Sequence, residues 1–426
     1  MDIARLKFFF SSSLFRNSSV YTLANILNAS IPFLLIPILT KRLSTEDYGI
    51  IAMFTIMINI VSPFVGLSIH GAIGRKYFSS NFNLARYVGN CFFILFLSTL
   101  LVLIIVSIVK SELAHYTKIP ANWLYAIVMI SFSQFISLSL LTIWQVSLKP
   151  FYYGILQFAQ TLLNFGLTLY FVIYLNQNWS GRLRAQLISF GMIAVLCLFI
   201  LIKKKLISFE FNRDDITHAL KFSLPLIPHT VGGIVISMTD RILITNMVGV
   251  NETGIYTVAF QVGSVLNLLT SAFNNAYVPW LFDKLNNISN EWKIKIVKFT
   301  YMYFICLFVI AISAMLILPI FLSFFVGKDF QSAGGYAVWI ILGYVFNGMY
   351  LMVTNYIFYV ERTKLLAWIT LCSSLINIPL CYYLINLNGA IGAAQATTVV
   401  FFISFILTWK LSASVYKMPW HLKELF

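Results

Sequence analysis

Long apolar stretches separated by short polar segments run along most of the chain. One of them, NCFFILFLSTLLVLIIVSIV at residues 90–109, has the roughly 20 apolar residues that a helix needs to cross the hydrocarbon core of a bilayer. The pattern therefore predicts an all-α polytopic membrane protein with twelve transmembrane helices. Their predicted ranges are 18–40, 50–73, 88–109, 123–147, 152–175, 185–202, 224–248, 255–281, 299–325, 336–360, 365–386 and 389–411.

Composition supports the same class. Hydrophobic residues make up 60% of the chain and charged residues 10%, and the mean hydropathy is +0.86. A soluble domain carries about 25% charged residues. The longest connecting segments are 203–223 and 283–298, so no soluble domain is expected on either side of the membrane.

The net charge of +15 is distributed unevenly about the predicted helices. With the N-terminus in the cytoplasm, twenty-one Lys and Arg residues fall on the inner side and seven on the outer side. Because this follows the positive-inside rule, both termini are predicted to be cytoplasmic. The surplus of positive charge therefore reflects the orientation of the helices in the membrane and attraction to anionic membrane lipids. No nucleic acid is expected as a partner. The predicted parts are a cytoplasmic lead-in 1–17, an N-terminal six-helix half 18–202, a cytoplasmic linker 203–223, a C-terminal six-helix half 224–411 and a cytoplasmic tail 412–426.

The two halves resemble each other. Shifted by 205 residues, LSTEDYGIIAMF (43–54) aligns with VGVNETGIYTVA (248–259), so that Gly49 meets Gly254. The same shift aligns polar or small positions of the second predicted helix with those of the eighth, Asn59 with Ser264 and His70 with Asn275. Halves with an even number of helices run in the same direction, so we predict parallel repeats around a central cavity. The alternative is that these small and polar residues only help helices to pack.

An Asp and an Arg stand side by side in the seventh predicted helix. Charges inside a membrane are costly and face a bundle interior or an aqueous cavity. Neighbours in sequence do not face each other on a helix, so each charge is expected to have another partner. Asp240 is predicted to serve either the cavity or helix packing. For Arg241 a cavity role is favoured, since its planar fork suits phosphate. The predicted substrate-binding residues of the cavity are Arg241, Asp240, His70, Asn59, Asn28, Asn25, Gln261, Asn267, Asn274 and Asn275.

Motifs for covalent chemistry are absent from the sequence. It contains no GxxxxGK[ST], HExxH or CxxC pattern, and all five cysteines lie in apolar stretches. We therefore expect no enzyme activity, no catalytic residue, no metal and no cofactor.

Two short motifs occupy corresponding places in the two halves. The first outer loop has the R-L-x(4)-Y-G pattern at Arg42, Leu43, Tyr48 and Gly49. The second has D-R at Asp240 and Arg241 followed by G-x(4)-G-x-Y at 249–256. These motifs resemble those of the polysaccharide-biosynthesis flippases, which include the Wzx-type O-antigen exporters of the multidrug/oligosaccharidyl-lipid/polysaccharide superfamily.

The resemblance implies a flippase that moves undecaprenyl-pyrophosphate-linked oligosaccharide, an O-antigen or similar repeat unit, across the bacterial inner membrane. It implies two six-helix bundles with alternating access. The implied partners are the lipid-linked glycan and membrane lipids, and the polysaccharide polymerase and the chain-length regulator are candidate partners.

Two alternatives remain. An ion-coupled drug or metabolite antiporter of the same superfamily tends to carry a carboxylate deep in its N-terminal half, but the first six predicted helices contain no Asp or Glu. A membrane glycosyltransferase or polymerase usually needs long outer loops with acidic clusters, and the outer loops here are short.

Overall fold

The computed structural model of the protein describes residues 33–77, 83–286, 289–360 and 362–420. Within these ranges helices are the regular secondary structure, and there is no strand. The helices are α1 (33–40), α2 (Thr45–Gly66), α3 (Ile69–Lys76), α4 (Leu84–Thr117), α5 (Ala121–Val146), α6 (Pro150–Leu169, extended by a π-turn at Tyr170–Tyr174), α7 (Trp179–Lys203), α8 (Arg213–Ser223), α9 (Leu226–Met247), α10 (Val250–Asn286), α11 (Asn290–Phe325), α12 (Ala333–Tyr359), α13 (Thr363–Asn388) and α14 (Ala390–Val415).

Ten of the described helices are long and apolar enough to cross a membrane, and they confirm ten of the twelve predicted spans. These helices are α2, α4, α5, α6 with its π-turn, α7 and α10–α14. The predicted span 224–248 forms the helix α9, which is not among the ten. The predicted span 18–40 lies outside the described residues except for 33–40.

Three helices exceed their predicted spans by nine residues or more. The helices α4, α10 and α11 contain 34, 37 and 36 residues. At 1.5 Å per residue they reach about 50–55 Å, whereas the hydrocarbon core is about 30 Å thick. Hydropathy marks only the part of a helix inside lipid. A prediction from hydropathy therefore underestimates the length of a helix that continues into the aqueous phase.

The predicted span 50–73 is broken in the structure, which corrects the prediction of one continuous helix. The helix α2 ends at Gly66, and α3 begins at Ile69. Between them, Leu67 and Ser68 adopt the left-handed conformation with φ of 46° and 53°. This conformation is uncommon for residues with a side chain, so tertiary packing must hold it.

The described chain forms two compact units. The first contains the residues up to Leu43 and Ile50–Met238, and the second contains Ser44–Gly49 and the residues from Thr239 onward. The division falls within α9 and not in the predicted linker. The repeat relation between the halves stays a prediction.

The short segment Ser44–Gly49 packs into the second unit at the start of α10. A Cβ on Gly254 would lie 2.1 Å from the Thr45 carbonyl oxygen and 2.9 Å from the Gly49 nitrogen. A Cβ on Gly49 would lie 2.1 Å from the Val250 carbonyl oxygen. The Thr45 hydroxyl also donates to the Asn251 side chain at 3.1 Å. The two glycines aligned by the repeat therefore permit one close backbone contact.

The predicted linker 203–223 is bound to the first unit along α4. The Ser208 amide donates to the Ala85 carbonyl oxygen at 2.9 Å. The Asn90 side chain donates to the Glu210 carbonyl oxygen and accepts from the Asn212 amide. The segment 203–223, called the strap below, is therefore held against α4 by hydrogen bonds.

The amphipathic helix α8 completes the strap. Its cap, Asn212, accepts from the Asp215 amide at 2.9 Å. Arg86 of α4 forms an ion pair with Asp215 at 3.0 Å. Burial lowers the pKa of His218, and the charge of Lys76 lowers it further, whereas Asp215 acts in the opposite direction. A neutral His218 can accept the hydrogen of the Tyr87 hydroxyl, which lies 2.9 Å from its Nδ1 atom.

We expect Gly89→Val to release the strap from α4. A Cβ at this position would lie 1.8 Å from the Ser208 carbonyl oxygen, so the two backbones must separate and the hydrogen bonds of Asn90 are lost. Limited trypsin digestion of the purified protein should then cut faster at Lys204 or Lys205. Gly191→Val on α7 is the control, because a Cβ there meets no atom within 4 Å. Equal cleavage of the Gly89 variant and the wild type would contradict the prediction.

Candidate functional site: a polar cavity in the first unit

A cavity of about 400 Å³ opens among the helices of the first unit. Its volume is within the range of roughly 300–1,000 Å³ that is usual for ligand pockets. The helices α2, α3, α5, α6 and α9 contribute to its wall. The lining residues are Ser62, Pro63, Ser68, His70, Gln134, Phe135, Ser137, Leu138, Leu141, Gln157, Gln160, Thr161 and Thr230.

The break between α2 and α3 positions two of the lining residues. Ser68 lies in the break itself, and His70 follows in the first turn of α3. The His70 ring contacts the Phe135 ring edge to face, with 6.1 Å between centroids. In a straight helix, the rotation of 100° per residue would fix the direction of the His70 side chain. Here the left-handed residues Leu67 and Ser68 fix that direction instead. His70 nevertheless reaches the same cavity as Ser62 and Pro63 of α2.

Several polar groups of the cavity have no partner among the described residues. The Nδ1 atom of His70 is buried without a hydrogen bond there. The Gln134 and Gln160 amides lie at the cavity wall, and neither makes a hydrogen bond within the described part of the chain. By contrast, the Gln157 amide donates to the Tyr153 hydroxyl at 3.1 Å. Buried polar groups normally have partners, so the His70 Nδ1 atom points to a ligand or water in the cavity, and the half-buried Gln134 and Gln160 amides are available to the same ligand.

The lining suits an uncharged, hydrogen-bonding ligand. Amides, hydroxyls and an imidazole supply both donors and acceptors, and the Phe135 ring supplies an apolar face. None of the lining residues among those described is a carboxylate, a lysine or an arginine. The described residues also contain no group of three or more His, Cys, Asp or Glu side chains that could hold a metal ion. The arrangement therefore offers hydrogen-bond donors, acceptors and an aromatic face to a ligand.

The other N-terminal residues predicted for the cavity have different outcomes. Asn59 is half-buried, and its amide lies 3.7 Å from the Met238 sulfur. It is not among the lining residues of this cavity. Asn25 and Asn28 lie outside the described residues, so their predicted role is untested.

Asp240 and Arg241 are buried within the second unit, with exposed fractions of 4% and 6%. The Tyr256 hydroxyl donates to Asp240 at 2.7 Å, and the Arg241 guanidinium lies 3.8 Å from the Phe260 ring centroid. Each charge therefore has the separate partner that the sequence predicted. The two charges also contact each other, with 3.8 Å between Arg241 Nη1 and Asp240 Oδ1, which corrects the expectation that neighbours do not pair.

The asparagines predicted on α10 pair with α12. The Asn347 amide donates to Asn267 at 3.0 Å, and the Asn355 amide donates to Asn274 at 2.8 Å. These contacts are the helix-packing role that the sequence left open for polar residues. Each accepting asparagine keeps its own amide hydrogens for another partner.

Two further predicted residues of α10 differ from this pattern. Gln261 accepts a hydrogen bond from the Tyr48 hydroxyl at 2.8 Å, so it holds the segment Ser44–Gly49. Asn275 is exposed. The predicted binding roles of both residues stay predictions.

The three glutamines of the cavity were not among the predicted binding residues. Gln134 lies on α5, and Gln157 and Gln160 lie on α6, all inside apolar spans. The signal was present, because a polar amide in a transmembrane helix is costly unless it faces a partner or a cavity. In the second half, the predicted binding residues were instead the charged pair on α9 and polar residues of α10.

The protein is 27% identical over 403 residues to an uncharacterized membrane protein of Haemophilus influenzae, covering 91% of this chain and 92% of that protein. A structure titled lipid II flippase MurJ, inward closed conformation, matches with a TM-score of 0.70 and 17% identity over 96% of this chain and 88% of that one. An inward-facing multidrug resistance MATE family transporter of the MOP superfamily matches with a TM-score of 0.62 and 14% identity over 92% of this chain and 94% of that one.

These structural matches show a fold shared with flippases and transporters. A family profile described as polysaccharide biosynthesis protein matches residues 14–284. The chain is a multi-pass membrane protein of the polysaccharide biosynthesis protein family.

Proposed function

We propose that the protein is a flippase that carries an undecaprenyl-pyrophosphate-linked oligosaccharide across the bacterial inner membrane. The cavity of the first unit carries this proposal. Its wall combines amides, hydroxyls and an imidazole with an aromatic face, and it contains no described carboxylate or strong base. Sugars present hydroxyls and apolar ring faces together, so this lining complements an oligosaccharide better than a cationic drug.

Family membership supports the same substrate class, because the profile describes polysaccharide biosynthesis. The match to a lipid II flippase is a likeness of fold, and it is compatible with a lipid-linked sugar as substrate. An antiporter is disfavoured by the first six predicted spans, which contain no Asp or Glu. The protein is proposed to act as a transporter and not as an enzyme.

The proposed mechanism is alternating access. The glycan enters from the cytoplasmic side, binds in the polar cavity while its polyprenyl tail stays in lipid, and leaves on the outer side. No nucleotide-binding motif is present, so an ion gradient or the consumption of product outside would drive the cycle. Both termini are proposed to be cytoplasmic. The polysaccharide polymerase and the chain-length regulator are proposed as partners that use the exported glycan.

Deletion of the gene followed by mass analysis of lipid-linked glycans tests this function. The proposal expects undecaprenyl-linked repeat units to accumulate and surface polysaccharide to be lost. Unchanged polysaccharide with altered drug sensitivity would instead support the antiporter. Single units left on the outer face would support a polymerase.

We expect the double variant Gln134→Leu/Gln160→Leu to reduce glycan export about tenfold, since an uncharged hydrogen bond contributes about 1 kcal/mol. Leucine keeps much of the side-chain volume and removes the two free amides. The readout is surface polysaccharide in the deletion strain at matched protein levels. Gln145→Leu is the control, because Gln145 is exposed on the same helix outside the cavity. Full export by the double variant would exclude these amides from substrate binding.

A further inference from the structure

A second hollow lies in the other unit, between the end of α10 and the start of α11. This aromatic cleft has a volume of about 560 Å³. The sequence predicts that the connection between these helices, within 283–298, is cytoplasmic. The lining residues are Phe273, Ala276, Tyr277, Trp280, Trp292, Lys295, Ile296 and Phe299.

The wall of the aromatic cleft is a stack of flat rings. The rings of Phe273 and Tyr277 are inclined by 15°, and those of Tyr277 and Phe299 by 26°, with 5.8 Å between centroids in each pair. Behind them the Tyr303 ring stacks on Phe273 at 4.6 Å. Because the rings support one another, the wall is a preformed apolar surface for a hydrocarbon chain.

Two ammonium groups lie beside this apolar wall. The Nζ atoms of Lys284 and Lys295 are 5.0 and 5.2 Å from the centroid of the Trp292 ring. Glu291 forms an ion pair with Lys295, but both side chains of this pair are largely exposed, so it binds the ammonium weakly. Two like charges at one indole ring leave a surplus of positive charge that an anion would neutralise.

The arrangement selects among anionic lipids. In a polyprenyl phosphate the phosphate is bonded directly to the first carbon of the chain, so an anion and a hydrocarbon must be bound side by side. A phosphoglyceride places glycerol and two ester groups between its phosphate and its chains. Apart from Lys295, the described lining offers only indole N–H groups and the buried Tyr277 hydroxyl to such polar groups.

We infer that the aromatic cleft binds the phosphorylated end of a polyprenyl carrier lipid, with its phosphate at Lys284 and Lys295 and its first isoprene units along the rings of Phe273, Tyr277 and Phe299. This inference rests on the proposed function, since it assigns a site to the carrier of the proposed glycan. The two units then have different tasks. The polar cavity recognises the sugar, and the aromatic cleft captures the carrier from the cytoplasmic leaflet.

Binding of undecaprenyl phosphate to the purified full-length protein, measured by native mass spectrometry, tests the inference. The double variant Lys284→Gln/Lys295→Gln should bind this lipid roughly tenfold more weakly. The reason is that hydrogen bonds from an ammonium group to a phosphate are stronger than those from a neutral amide. The variant Ala276→Trp should weaken binding similarly by filling the slot while both lysines remain. The control Lys293→Gln/Lys298→Gln removes the same charge from α11 outside the cleft lining and should bind normally.

The inference is overturned if the control loses as much affinity as the Lys284/Lys295 variant, or if neither cleft variant weakens binding. It is also overturned if phosphatidylglycerol displaces undecaprenyl phosphate equally well, which would identify a phosphoglyceride site. The deletion experiment separates this outcome from failure of the proposed function. If glycan accumulates in the deletion strain and both cleft variants bind the lipid normally, the lipid site is rejected and the proposed function is retained. Weakened binding by these variants without accumulation in the deletion strain rejects the function and leaves the lipid site.

Discussion

Arg241→Ala should destabilise the protein by about 3–5 kcal/mol, the usual cost of removing one partner of a buried ion pair. Asp240 is 4% exposed, and without Arg241 its charge would keep only the Tyr256 hydroxyl and a backbone amide. Arg241→Lys should be intermediate, because an ammonium keeps the charge but not the planar stacking on Phe260. Thermal unfolding of the purified protein in detergent measures both effects.

The double variant Asp240→Asn/Arg241→Met separates structure from transport. Asparagine keeps an acceptor for Tyr256, and methionine packs against Phe260, so most of the lost stability should return. The control is Arg362→Ala, because Arg362 is exposed. A double variant as unstable as Arg241→Ala would contradict the ion-pair explanation. Full export by a stable double variant would contradict the cavity role that the sequence predicts for Arg241.

Gly254→Ala should separate the start of α10 from the segment Ser44–Gly49. The added Cβ would lie 2.1 Å from the Thr45 carbonyl oxygen, and backbone on both sides cannot rotate away as a side chain would. Overpacking of this kind costs about 1–3 kcal/mol, and the hydrogen bonds of Thr45 and Tyr48 would be strained as well. We therefore expect a lower unfolding temperature and easier labelling of a cysteine introduced as Asn251→Cys.

Gly335→Ala is the matched control for this position. Gly335 lies in the first turn of α12 in the same unit, and a Cβ there meets no atom within 4 Å. This variant should unfold at the wild-type temperature or slightly above it, since alanine favours a helix. A Gly254→Ala protein with unchanged stability and unchanged labelling would show that the close contact is not maintained in the membrane.

The helical class and ten of the spans could be predicted because the bilayer imposes a length and an apolar composition on each helix. The same rule did not predict the polar extensions at both ends of α4 and α10 and at the start of α11, since these lie outside the region of high hydropathy. The break at Leu67–Ser68 was also invisible, because neither residue type favours a left-handed backbone and only packing requires it there.

The candidate site was predicted in part. His70 was identified from its polar character in an apolar span, but Gln134 and Gln160 were not, although the same argument applies to them. The partners of Asn267 and Asn274 could not be foreseen, because the pairing with Asn347 and Asn355 depends on how α10 and α12 are aligned. A single sequence shows which residues are polar, but three-dimensional packing decides whether they meet a cavity or another helix.

The contact between Gly49 and Gly254 has a consequence for evolution. Each position excludes a side chain because of backbone that belongs to the other segment, so neither can change first without a clash. Relatives should therefore retain both glycines, or replace them together with a shift of the two helix starts. Coupled substitution of this kind would slow the divergence of both segments among relatives.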